Sequence, residues 1–110
     1  MTDKVLVLTT VGSEEEARKI AHALVERQVA ACVNVIPKVR SIYRWEGKVE
    51  DSEEWLLLIK TDKAHIDEVR GVVRGLHSYT LPEFIAVAIE AGSEEYLRWM
   101  EASVATSHEL

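Results

Sequence analysis

A chain of 110 residues, 47% hydrophobic and 29% charged, has the size and balance of one globular domain, which excludes disordered, collagen-like and coiled-coil architectures. Its longest apolar run, residues 84–89, is far short of the ~20 residues that span a bilayer, and Thr2-Asp3-Lys4 followed by a short apolar stretch does not make a signal peptide. Nineteen acidic against thirteen basic residues give a net charge of -6, which disfavours phosphate-backbone binding, and a single cysteine, Cys32, makes no intrachain disulfide. The expectation is a cytoplasmic protein that neither binds nucleic acid nor inserts into a membrane.

Residues 5–8 form a short apolar run suited to a buried strand. Gly12 breaks it, and Ser13 with Glu16 three residues later forms a capping box in which each side chain satisfies the other's backbone N–H. Ala17, Ile20, Ala21, Leu24 and Val25 follow at helical spacing, so a helix is expected over residues 13–28. Residues 29–36 are apolar and β-branched, a second strand, and Pro37 belongs at a bulge or an edge. Beyond it Val39, Ser41, Tyr43 and Trp45 alternate with Lys38, Arg40, Ile42 and Arg44.

Glu46-Gly47 is a two-residue hairpin turn, and the return strand crosses acidic residues 50–54 before an apolar stretch at 55–59 that reads as covered on both faces. Asp62 caps a helix carrying Ile66, Val69, Val73 and Leu76 on one stripe. Pro82 precedes a strand at 84–90, and Gly92-Ser93 leads into a last helix with Leu97, Met100 and Val104 on one side. Residues 1–104 make a single domain, and 105–110 a frayed tail.

Two βαβ units joined by a hairpin predict an α+β, ferredoxin-like βαββαβ sandwich with an added C-terminal helix. A doubly wound parallel sheet would need a helix where Glu46-Gly47 leaves no room for one. The hairpin arms, about fifteen residues each, exceed the ~6 residues of an ordinary strand. Such an overhang, with Tyr43 and Trp45 on one side, predicts pairing with another subunit.

The four histidines show no metal-ligand spacing. His22 and His65 fall in helical segments and read as surface or half-buried residues; His108 lies in the tail. His77 stands apart, because Ser78, Tyr79 and Glu83 follow it closely, a cluster able to orient a cation or an anionic ligand. Glu50, Asp51, Glu53 and Glu54 read as a solvated hairpin arm rather than a cation site. Cys32 reads as a packing thiol. Nucleophile elbows, phosphate-binding loops and dinucleotide fingerprints are absent from the sequence, so no enzymatic reaction is expected. Lys38, Arg40, Arg44 and Lys48 make only a short, interrupted basic stripe.

Residues 30–34 (AACVN), 41–48 (SIYRWEGK), 58–61 (LIKT), 77–83 (HSYTLPE) and 96–99 (YLRW) stand in an order and spacing that resembles the CutA divalent-cation tolerance family. That resemblance implies a homotrimer with PII-like architecture, in which the hairpin (Tyr43, Arg44, Trp45, Gly47) reaches the next subunit. It implies tolerance of, or response to, divalent cations, with copper proposed for some members, and no organic cofactor. Position by position it carries over an intersubunit cleft with Cys32, Trp45, Lys60 and Tyr79, and His77 and Glu83 as candidate metal ligands. The family's usual His-Pro-Tyr-Glu reads His77-Ser78-Tyr79-Thr80 here. Its extra thiol and second histidine correspond to Thr9 and Leu76, which leaves fewer of the soft donors that select copper. The alternatives are a PII-like sensor of a small anionic metabolite or nucleotide, using Lys60 and His77, or a trimeric interaction scaffold.

Overall fold

The computed structural model describes residues 2–105. Among them the chain forms β1 (Lys4–Val11), α1 (Glu14–Glu26), β2 (Cys32–Trp45), β3 (Lys48–Asp62), α2 (Ile66–Leu76), β4 (Ile85–Ala88) and α3 (Glu94–Ser103). The strands make one antiparallel sheet in the order β2-β3-β1-β4, the ferredoxin-like arrangement that two βαβ units predict.

Alternation along the strands decides what is buried. Val5, Val7 and Val11 of β1 and Leu57 and Ile59 of β3 turn to one face. There they pack against Ala17, Ile20 and Leu24 of α1 and Val69, Val72 and Val73 of α2. The opposite face carries Leu6, Leu8, Leu56 and Leu58, half-buried, and Ile36, Ile85 and Val87, exposed. The expectation that residues 55–59 are covered on both faces is therefore corrected within the protomer: both core helices lie on one side, so Leu57 and Ile59 are buried while Leu56 and Leu58 are not.

Several boundaries move for local reasons. β1 runs on to Val11 because Thr9 and Thr10, β-branched, keep pairing with Leu57 and Leu56. β4 is shorter than 84–90, pairing with β1 only from Ile85 to Ala88, although the Ile89 N–H still donates to the Lys4 carbonyl. α3 is fastened at one end of the sheet. Met100 and Val104 pack on Ala31, and Lys4 pairs with Asp3 and Glu101. Ala105, placed by the sequence in a frayed tail, is buried; 106–110, with His108, lie outside the described residues.

One packing detail is costly. Thr9 is wholly buried, and among the described residues its hydroxyl has no hydrogen-bond partner. Removing an orphaned hydroxyl while keeping the side-chain shape is expected to help by about 1 kcal/mol. Thr9→Val should raise the urea midpoint at fixed protein concentration; a fall would mean that the hydroxyl has a partner in solution.

Candidate functional site

The site begins with a bulge in β2. Ile36 pairs with Leu56 and Val39 pairs with Glu54, so three residues of β2 span two of β3 and one is extra. Pro37, which has no amide hydrogen to offer the ladder, sits there as expected, and Lys38 takes up the irregularity with φ 59°. Because the extra residue is absorbed, odd-numbered positions beyond the bulge share the face opposite α1 and α2 with even-numbered positions before it. Val39, Ser41, Tyr43 and Trp45 therefore stand on the same face as Cys32 and Ile36. Glu46 and Gly47, with φ 49° and 80°, close the hairpin in the doubly left-handed turn that strand twist favours.

Residues 77–83 return across this face at the base of the hairpin. Between them lies an open groove of about 810 Å³, lined by Thr10, Tyr43, Trp45, Glu54, Tyr79 and Glu83 among others and, among the described residues, by no lysine or arginine. Glu54 is only 4% exposed. The reading of residues 50–54 as a uniformly solvated arm is corrected at this one position: pairing with Val39 places Glu54 under the 77–83 segment. The Tyr79 hydroxyl donates to its Oε2 at 2.7 Å. Burial first, and then that hydrogen bond to a carboxylate, push the Tyr79 phenol far above its ordinary value. Burial, followed by the charge of Glu54, raises the Glu83 carboxyl as well.

Gly12 makes room for this contact, since a Cβ there would stand 3.2 Å from the Tyr79 hydroxyl oxygen.

His77 is fixed rather than free. Its side chain is fully buried, Nε2 lies 2.7 Å from the Thr10 carbonyl, and Nδ1 lies 3.1 Å from the Tyr79 N–H. A neutral ring with the proton on Nε2 satisfies both contacts, donating to Thr10 and accepting from Tyr79. Ligating a cation would require giving one of them up. Glu16 stands close by, with Oε2 3.5 Å from Nδ1 and accepting from the Ser78 N–H. The capping box is thus half realised. Ser13 accepts from the Glu16 N–H, but the Glu16 carboxylate turns toward His77 and Ser78 instead of back to Ser13.

The expected cleft residues divide into two groups. Trp45, Tyr79 and Glu83 meet in the groove, with Tyr43 beside them. Cys32 and Lys60 pair across β2 and β3 at the other end of the face, where Lys60 Nζ donates to the Tyr96 hydroxyl at 3.1 Å. Lys60 lies six positions along β3 from Glu54, roughly 20 Å along the strand. Arg44 and Gly47 lie at the hairpin tip, where the Arg44 guanidinium donates to the Gly47 carbonyl at 3.4 Å. Within one protomer the groove thus offers oxygen donors, while the thiol stands apart. Among the described residues no three His, Cys, Asp or Glu side chains close on a common point. Glu54, Glu16 and Gly12 were not singled out for the site by the sequence. Only long-range pairing reveals Glu54, although the Ser13–Glu16 spacing had marked Glu16 for another task.

Residues 5–103 match the family model described as CutA1 divalent ion tolerance protein. The divalent-cation tolerance protein CutA of Thermus thermophilus is 50% identical over 86% of this chain and 92% of its own length. The chloroplastic protein CutA of Arabidopsis thaliana is 40% identical over 90% of this chain, which spans 54% of that longer protein. Among solved structures, the periplasmic divalent cation tolerance protein CutA of Archaeoglobus fulgidus superposes with a TM-score of 0.90 at 40% identity, covering 93% of this chain and 99% of its own.

Proposed function

The chain belongs to the CutA1 divalent ion tolerance family, and from that premise we propose that it is a trimeric, non-enzymatic protein that takes up a divalent cation in the groove between the hairpin base and residues 77–83. One observation carries the reading. Among the described residues, the buried carboxylate of Glu54 faces the groove with a single neutral donor, Tyr79, the neighbouring Glu83 carboxyl feels its charge, and no lysine or arginine lines the cavity. A carboxylate in that condition favours a cation and repels an anion. Glu83 and Glu54 supply hard oxygen donors, and His77 joins them only by releasing Thr10 or Tyr79. A copper site of soft donors would need Cys32 to arrive from another subunit.

Assembly is supported by the sheet face opposite α1 and α2, which α3 meets at Lys4 and Lys60. An antiparallel sheet can leave one face to water when that face is polar, but here Ile36, Ile85 and Val87 are exposed on it beside half-buried leucines. Two further copies of the chain would cover it and place the hairpin against a neighbour. The anion-sensor alternative joins Lys60 to His77. Within one protomer these groups hold opposite ends of the face, Lys60 paired with Leu6 and His77 bonded to Thr10. We keep the cytoplasmic location expected from the sequence as part of this proposal. No helix among the described residues is long and apolar enough to cross a membrane, and relatives named chloroplastic and periplasmic show a family spread over several compartments.

Calorimetry with copper and zinc at pH 7, on protein whose mass is measured by sedimentation, is the test. A trimer with saturable binding, weakened by Glu83→Gln and weakening as acid protonates Glu83, is expected. Because the Glu83 carboxyl is raised, that loss should begin above the ordinary carboxylate range. A stable monomer, or the absence of saturable binding, would remove the reading; binding unchanged in His77→Ala would remove His77 from it.

A further inference from the structure

His65 was expected at or near the surface, and the structure corrects this: its imidazole is buried where β3 hands over to α2. Asp62 ends β3 and caps the following 3-10 turn, its Oδ1 accepting from the His65 N–H at 3.1 Å. The same Oδ1 lies 2.6 Å from His65 Nδ1. Across the ring, Nε2 lies 2.5 Å from the carbonyl oxygen of Ala105. Both ring nitrogens therefore face oxygens that can only accept.

A neutral imidazole has one N–H. Whichever nitrogen carries it, the other presents a lone pair to an oxygen lone pair at hydrogen-bond distance, in a buried site where the mismatch is costly. Only the imidazolium donates in both directions at once. We infer that Asp62, His65 and Ala105 form a proton-operated clasp, closed when His65 is charged and opened when it is neutral, that holds Val104 and Ala105, just beyond α3, to the body of the domain.

The other contacts fit that role. The Ala105 N–H donates to the Gln28 carbonyl, so one residue is held through both its N–H and its carbonyl, and Val104 and Ala105 are buried. Among the described residues, the charged groups facing the ring are Asp62, at the end of β3, and Glu68 on α2, whose Oε1 is 3.9 Å from Nε2. The C-terminal segment meets the ring with the backbone carbonyl of Ala105. Burial by itself lowers the imidazole pKa, but the Asp62 hydrogen bond and charge, the Ala105 carbonyl and Glu68 together reverse this and leave it raised. A raised folded value means that the clasp is fully engaged below the ordinary imidazole pKa, about 6.5, and is lost as pH rises through the folded one.

The experiment is an NMR titration of the full-length protein from about pH 6 to about pH 9, following the His65 ring and the exchange of the Ala105 amide, corrected for its intrinsic pH dependence. His65 should titrate above about 6.5. Protection of Ala105 should fall by roughly 10- to 100-fold across that titration, the worth of a charge-assisted hydrogen bond. Asp62→Asn keeps an acceptor for the cap but removes the charge, so the same loss should occur at lower pH. Glu68→Gln, 3.9 Å away, should move it much less. A His65 ring that titrates at or below the ordinary value, or Ala105 protection that stays flat while His65 titrates, would overturn the inference. No variant is needed for either readout.

Discussion

Leu57→Ala is expected to destabilise the protein by about 3 kcal/mol, measured by urea unfolding at fixed protein concentration. Leu57 is fully buried in β3, opposite Thr9 of β1 and Val35 of β2, and belongs to the cluster that α1 and α2 cover. Truncation removes the transfer energy of its methyl groups and leaves a cavity walled by secondary structure on all sides, which can collapse only in part. Leu58→Ala is the informative companion. Its side chain lies on the face opposite α1 and α2 and is half-buried in the protomer. If further copies of the chain cover that face, Leu58→Ala should cost nearly as much as Leu57→Ala, and its cost should grow with protein concentration. A loss below about 1 kcal/mol for Leu57→Ala would contradict the core assignment. A small, concentration-independent loss for Leu58→Ala would count against assembly through the sheet.

Periodicity made most of the fold legible. Apolar runs, alternation and helical stripes located each strand and α-helix, and Glu46-Gly47 separated the hairpin topology from a parallel sheet. Pro37 marked the bulge to within a residue. What periodicity could not convey was which side of β3 the helices would leave open, because residues 55–59 are apolar at every position and carry no alternation to read. Of the site, Trp45, Tyr79 and Glu83 were legible through family motifs and do meet in the groove.

Glu54 was not legible, for a physical reason. It ends a run of exposed acidic residues and differs from Glu50 or Glu53 only in its partner, Val39, and in the tyrosine that returns over it 25 positions later. His65 failed for the same reason: its fate depends on a carbonyl 40 residues away. Local spacing reports faces and caps, whereas burial of a single polar group is decided by contacts remote in the chain.

That distinction bears most directly on Tyr79→Phe, which is expected to cost about 2 kcal/mol although it deletes one atom. The Tyr79 hydroxyl is the donor seen on Glu54, a carboxylate 4% exposed, and removing it leaves the charge buried without that compensation. Glu54→Met alone strands the hydroxyl instead, a smaller penalty because Tyr79 is partly exposed and water can reach it. The double variant removes both halves and should recover most of the loss, giving a coupling energy of about 1 to 2 kcal/mol in the unfolding cycle. Strict additivity would mean that the two groups do not interact in solution. Calorimetry on the same variants separates stability from binding. Phenylalanine at 79 frees the carboxylate for a cation, so copper or zinc should bind at least as tightly as in the unaltered protein, whereas Glu54→Met should lose that binding. Both variants binding alike would place the cation elsewhere than the groove and leave Glu54 a structural group only.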